Sequence, residues 1–184
     1  MDGIALMVNE HINIKRMLEV IRKACLGIMN GKEIYYADFE AMIDFVRNYA
    51  DKHHHGKEEK ILFNRMVDEI GSVAEKLIKY GMLVEHDLGR LYMTELEGAL
   101  VKVKAGDAEA KLDVIANAVS YTHLLTRHID KEDNVAYTFA KRELSEETLS
   151  TVNSECDKYE EDMSKIGFQN KYIEMLEQLE KRYK

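Results

Sequence analysis

Seven histidines lie in this chain of 184 residues, and imidazole is the side chain best suited to bind a metal or move a proton near neutral pH. Because residues i and i+4 share a helix face, the residue four positions on decides what each histidine can do with a neighbour. His11 is followed there by Lys15, His53 by Lys57, His54 by Glu58, His55 by Glu59, His86 by Arg90, His123 by Arg127 and His128 by Glu132. Three of these partners are acidic, where 34 acidic residues in 184 would supply about one by chance. An exposed His–Glu pair at this spacing contributes only about 0.3 kcal/mol, so the spacing alone argues little. Its weight comes from where the residues fall along the elements that carry them.

Those elements are helices. The chain has no Pro, where average usage would give about nine, and its 10 Gly are not an excess. That composition argues against a sandwich, a barrel or a Pro-rich linker and for long uninterrupted helices. Apolar residues recur at helical spacing from Ile4 to about Met29 (Ile4, Met7, Ile14, Met17, Leu18, Ile21, Cys25), where Asn30-Gly31 stops the pattern. A second segment runs from after Tyr36 through Phe39, Met42, Ile43, Val46 and Tyr49 to about Met66. Ser72 to Tyr80 reads as a short helix closed by Gly81, followed by a third long helix from Met82 to Val103 and a fourth from about Ala108 to Arg142. Ser145 is placed to cap a fifth helical stretch carrying Tyr172, Ile173, Met175, Leu176 and Leu179. Short connections between long helices favour antiparallel neighbours, so the expectation is an all-α, up-down-up-down four-helix bundle over residues 1–142, with an additional helical extension over residues 143–184 packed on or beside it.

On such a bundle the chemistry-bearing residues converge. His11 lies about seven residues into the first helix, and Glu58 and Glu132 about eight to ten before the second and fourth helices end, which at 1.5 Å per residue is about 10–15 Å from one end of the bundle. His86 falls at a similar level. Four helices thus each deliver a histidine to one layer, and two of them deliver a carboxylate beside it. Imidazole with carboxylate is the donor mixture of iron and related first-row metals, whereas structural zinc draws on Cys and magnesium or calcium on oxygen. Two buried Glu are costly unless compensated, and two bridging a pair of cations would be. The Glu-x-x-His spacing of ferritin-like bundles is absent; here His comes first and the gap is four. His53 and His55 flank His54 by about 100° on an α-helix and are expected beside the donor set rather than in it, as is Glu59. His123 points away and reads as structural, and Tyr121 as a core tyrosine or a wall of the pocket above the metals.

The segments HHHGKEEKILF from His53, VEHDLGRL around His86, RHIDKEDNV around His128 and NEHINIKRML around His11 resemble, in order, the motifs of the hemerythrin-like family, the HHE cation-binding domain. The resemblance covers about residues 4–142 and implies a non-haem centre of two iron ions, oxo- or hydroxo-bridged, held by His11, His54, Glu58, His86, His128 and Glu132. This chain departs from many members in one place, carrying Arg90 where a second third-helix histidine would stand. A guanidinium cannot ligate iron. Arg90 would turn away or hydrogen-bond an acid near the site, and the missing imidazole weakens a simple oxygen-carrier reading.

Charge and cysteines set the remaining bounds. Lys and Arg at 26 against Asp and Glu at 34 leave a net charge of −8, the wrong sign for a nucleic-acid surface. Charged residues at 33% are scattered too evenly for a membrane span. Cys25 and Cys156 form no CxxC or zinc spacing and read as reduced thiols, and the opening MDGIALMVNEH turns polar too soon for a secretory signal, so the expected location is cytoplasmic. The expected function is binding of dioxygen, peroxide or nitric oxide as carrier, sensor or scavenger. The alternatives are an enzyme of oxidative or nitrosative defence or iron-sulfur repair, and a metal-free helical interaction module whose last 40 or so residues meet a partner or a second copy.

Overall fold

The computed structural model describes residues 1–184 as six helices and no strand: α1 (Gly3–Met29), α2 (36–70), α3 (72–104), α4 (111–143), α5 (Glu146–Lys165) and α6 (Phe168–Arg182). The first four are long, are joined by short turns and form the bundle, with α3 on α4 and α1 on α4 as its closest pairings. The last two pack back onto α1, α5 also reaching α2 near Glu58–Phe63 and α6 the start of α2. None is long and apolar enough to cross a membrane.

Local signals account for most of the boundaries. Asp2 caps α1 by accepting from the backbone N–H of Ile4 and Ala5, and Ser145 caps α5 by accepting from Thr148. Gly71 (φ 80°) and Gly167 (φ 67°) adopt the left-handed conformation that side chains disfavour, and there α2 and α5 end. The single C-terminal helical stretch read from the sequence is therefore two helices, broken at Gly167. Gly81 does the opposite of what its sequence position suggests. It has no positive φ and lies inside α3, which runs unbroken from residue 72, so the expected short separate helix does not exist.

Within three of the bundle helices the hydrogen bonding slips to i→i+5, at Val46–His55 and Glu58–Phe63 in α2, Ile78–Met82 in α3 and Glu132–Ala136 in α4. Such π turns are uncommon and cluster at functional sites. Here all but the α3 turn contain or abut the histidine and glutamate motifs.

The core is split in two. One apolar slab joins Ile14, Met17 and Ile21 of α1 with Phe45, Tyr49, Met93, Leu96, Ala118, Leu125 and Ile129, and is closed by Tyr172 and Leu176 of α6. The other joins Ile4 and Met7 with Leu62, Phe63, Met66, Ile78, Met82, Ala136 and Ala140, and is closed by Val152 and Cys156 of α5. Between them lies a polar layer that holds every buried polar side chain except Asp38 and Thr122. The two slabs supply the burial that stabilises the bundle, and the layer between them is what that stability has to hold in place.

Candidate metal centre

The layer brings all six sequence-assigned residues together. Their inward-facing atoms form two groups, His11 with His54, Glu58 and Glu132, and His55 with Glu58, His86 and His128, each with its atoms within 4.8 Å of one another. Glu58 is common to both. Its Oε2 lies 3.7 Å from His54 Nε2 and 3.6 Å from His86 Nε2. Glu132 also faces both groups, Oε1 at 2.9 Å from His128 Nε2 and Oε2 at 3.4 Å from His11 Nε2.

His55 is the residue that helical periodicity misplaced. On an α-helix it would sit about 100° round from His54, but the π turn that ends at His55 puts one more residue into each turn, narrowing the arc between neighbours. His53, His54 and His55 are all buried. The His55 ring stacks on that of His86 at 3.8 Å between centroids and 7° between planes. It brings a fifth imidazole to the converging donors, and the run of three consecutive histidines is the one sequence signal that could have pointed to it.

Each imidazole of these two groups is oriented from behind by a carboxylate. Nδ1 of His11 donates to Asp133 (2.7 Å), of His54 to Glu10 (2.8 Å), of His55 to Asp51 (3.4 Å), of His86 to Glu59 (2.7 Å) and of His128 to Glu85 (2.9 Å). A carboxylate cannot donate, so these contacts fix the tautomer and leave each Nε2 as a lone pair aimed inward, the arrangement that metal-bound histidines use. Glu59, expected outside the donor set, is one of these partners, and Arg90 takes the second of its two expected roles. Its guanidinium grips Asp51 (2.7 Å) and Glu59 (2.7 Å), the acids behind His55 and His86.

The inner face carries polar atoms that no hydrogen bond in the protein satisfies. His11 Nε2 and His54 Nε2 face each other at 2.9 Å, and His86 Nε2 and His128 Nε2 at 3.0 Å; with both Nδ1 donating outward, two neutral rings set lone pair against lone pair, and only a further proton or a cation between them relieves it. Glu58 Oε2 and both oxygens of Glu132 are buried without a hydrogen-bond partner, the neighbouring imidazoles being near in distance but not aligned on them. Burial and the Glu132 charge push the Glu58 carboxyl well above the usual range. Burial would raise Glu132 too, but His128, His11 and His86 outweigh it and hold it well below. Burial and the neighbouring His11 lower His54 to about 4, while His128, despite burial, is lifted to about 9 by Glu132 and Glu85. Lone pairs and orphaned carboxylates turned toward common points fit a pair of cations.

Tyr137, which the sequence reading did not single out, donates to Glu58 Oε1 at 2.5 Å and lies parallel to the His11 ring, 5.8 Å between centroids. Tyr121 packs in the core and forms one wall of an open cleft of about 200 Å³ that reaches His55 and His86 between α2 and α3, past Asp51 and Arg90. His123 is exposed and pairs with Arg22. His53 is buried in a third group with Glu10 and Glu160.

Residues 2–140 match the family model described as the hemerythrin HHE cation binding domain. No curated protein and no solved structure matches the chain.

Proposed function

Because the chain belongs to the hemerythrin HHE cation-binding family, a family of metal-binding helical proteins, we propose that this layer holds two iron ions and binds dioxygen or a related small oxidant as carrier, sensor or scavenger. The observation that carries the reading is Glu58, a buried carboxylate shared by two four-residue groups of converging donors. The residues that would hold the ions are His11, His54 and Glu132 on one side and His55, His86 and His128 on the other, with Glu58 between and Glu132 turned toward both. An iron pair at such a site supplies one-electron chemistry and an exchangeable position for a small ligand.

The rest of the work falls to the chain. The five outer carboxylates keep the Nδ1 protons in place, so the Nε2 lone pairs stay aimed inward without reorganisation. The two apolar slabs exclude water above and below the layer, leaving the cleft beside His55 and His86 as the way in for a small molecule. His55 also removes an objection. With it the two donor groups have five imidazoles, so the absence of a histidine at position 90 no longer weighs against reversible binding.

Tyr137 favours a second reading, turnover of peroxide or nitric oxide. Its hydroxyl donates to Glu58 Oε1, sealed from solvent and within the centre, where reduction of an oxidant requires proton delivery. A metal-free interaction module, by contrast, leaves the orphaned oxygens of Glu58 and Glu132 unexplained.

The test is anaerobic reconstitution with a ferrous salt, then metal analysis and absorption spectra before and after air. About two irons per chain are expected, from the two donor groups, with new visible absorption on oxidation. Absorption that reverses on removing oxygen identifies binding; catalytic consumption of peroxide or nitric oxide identifies turnover. A reconstituted protein that holds no iron overturns both.

A further inference from the structure

The third buried group lies outside the two that share Glu58. Lys57 has no solvent exposure, and a buried ammonium must be met by anions. Two meet it, Glu10 of α1 and Glu160 of α5, each hydrogen-bonded to Nζ through Oε1. His53 Nε2 lies 3.0 Å from the Glu10 oxygen and 3.1 Å from the Glu160 oxygen. Gln169 of α6 donates to the other Glu160 oxygen, and Phe168 stacks on the His53 ring at 4.7 Å. A metal ion among Glu10, His53 and Glu160 would have to displace Nζ, which already holds both carboxylates.

Glu10 has a second task. Its Oε2 accepts from Nδ1 of His54 at 2.8 Å, so one carboxylate both pairs with Lys57 and orients a candidate iron ligand. We propose that Glu160 is a positioning residue of the metal centre: by sharing the Lys57 ammonium it leaves Glu10 free to hold the His54 ring, so that α5 and α6, beyond the family match, complete the site. This rests on the metal-centre reading above. Without Glu160, Lys57 has Glu10 as its sole anion, and the charge that Glu10 directs at His54 is drawn off to the ammonium.

The experiment compares the full-length protein with Glu160→Gln, which keeps the shape and removes the charge, Gln169→Leu, which removes the other anchor of Glu160, and Val152→Ala, which loosens α5 in the apolar slab without touching the polar group. Anaerobic Fe(II) titration reads affinity, and the proton resonance of His54 Nδ1–H in the Zn(II)-loaded protein reads the hydrogen bond itself. Glu160→Gln is expected to weaken the tighter-to-looser average of Fe(II) binding by about tenfold, the low end for partners of metal-bound histidines, and to move the Nδ1–H resonance upfield. Gln169→Leu shifts both in the same direction by less. Val152→Ala lowers the melting temperature and leaves both in place.

The inference is overturned if wild type binds iron and Glu160→Gln matches it in affinity and resonance, or if Val152→Ala moves them as far. It is also overturned if wild type holds a third iron that Glu160→Gln releases, for the group would then be a metal site. Should wild type bind no iron, the metal-centre reading falls and this one with it. If Glu160→Gln does not fold, Gln169→Leu decides by the same two readouts.

Discussion

The imidazoles of His55 and His86 lie face to face, 3.8 Å apart at their centroids, although one side chain belongs to α2 and the other to α3. Two parallel rings, each with a carboxylate behind Nδ1 and with Glu58 and His128 completing the group, make up one of the two donor sets, which on the proposed reading would hold one ion. His55→Ala is expected to lower iron from about two ions per chain to about one, because the His11–His54–Glu132 side keeps its own donors. Metal analysis after anaerobic loading checks it. Retention of both ions would show that His55 stacks on the centre without serving it.

Arg90 anchors that same side from outside. It pairs with Asp51 and Glu59, and its side chain is 40% exposed, so Arg90→Ala should cost under about 1 kcal/mol of stability. Its effect on metal should be larger, about tenfold weaker binding of one ion with the other unchanged, since the acids that orient His55 and His86 lose their common tether. Arg90→Lys should not restore it, because an ammonium lacks the planar fork that spans both carboxylates. Biphasic Fe(II) titration in the variants against a narrower curve in wild type is the outcome that checks it.

What the sequence made legible follows from which physical rule held locally. His54 with Glu58 and His128 with Glu132 were readable because i, i+4 neighbours share a face, and the level of His11 and His86 followed from helix length. His55 and His53 were not, because α-helical periodicity fails where α2 slips into π turns, and nothing in VRNYADKHHH announces that slip. Lys57 and Glu10 drew no assignment from the sequence, since a buried ammonium becomes visible only when its anions arrive from α1, 47 residues away, and from α5, 103 residues away. Gly81 read as a stop because Gly often is one, yet glycine also sits in a helix at a cost of about 1 kcal/mol when tertiary packing holds the helix together.

The two cysteines should be inert. Burial pushes the Cys25 and Cys156 thiols to about 11, so at pH 8 only about one in a thousand of each is thiolate. Both are also shut off from solvent, Cys156 within the slab that α5 closes. Iodoacetamide is expected to leave the native protein unmodified over hours at pH 8 and to alkylate both sites in urea, read by intact mass. Rapid labelling of Cys156 alone in the native state would show that α5 lifts off the bundle.

Glu58→Gln should move stability in opposite directions with and without metal. In the metal-free protein Glu58 is buried, faces Glu132 and has its carboxyl held well above the usual range. An acid whose folded value is raised destabilises the fold increasingly as pH climbs above its unfolded value of about 4.3. Glutamine has no proton to titrate, still accepts from Tyr137, and can donate its amide to the orphaned oxygens of Glu132. At pH 7 the metal-free variant is therefore expected to exceed wild type by about 2 kcal/mol, or about 4–8 °C in melting temperature. The gap should close as pH falls toward 4.5, where Glu58 protonates in both states. Iron should reverse the order, because wild type gains the free energy of binding two ions through a shared carboxylate and the variant does not. Thermal unfolding of both proteins, chelated and loaded, at pH 4.5 and 7 measures it. A metal-free variant less stable than wild type at pH 7 would mean that Glu58 serves the fold rather than the cations.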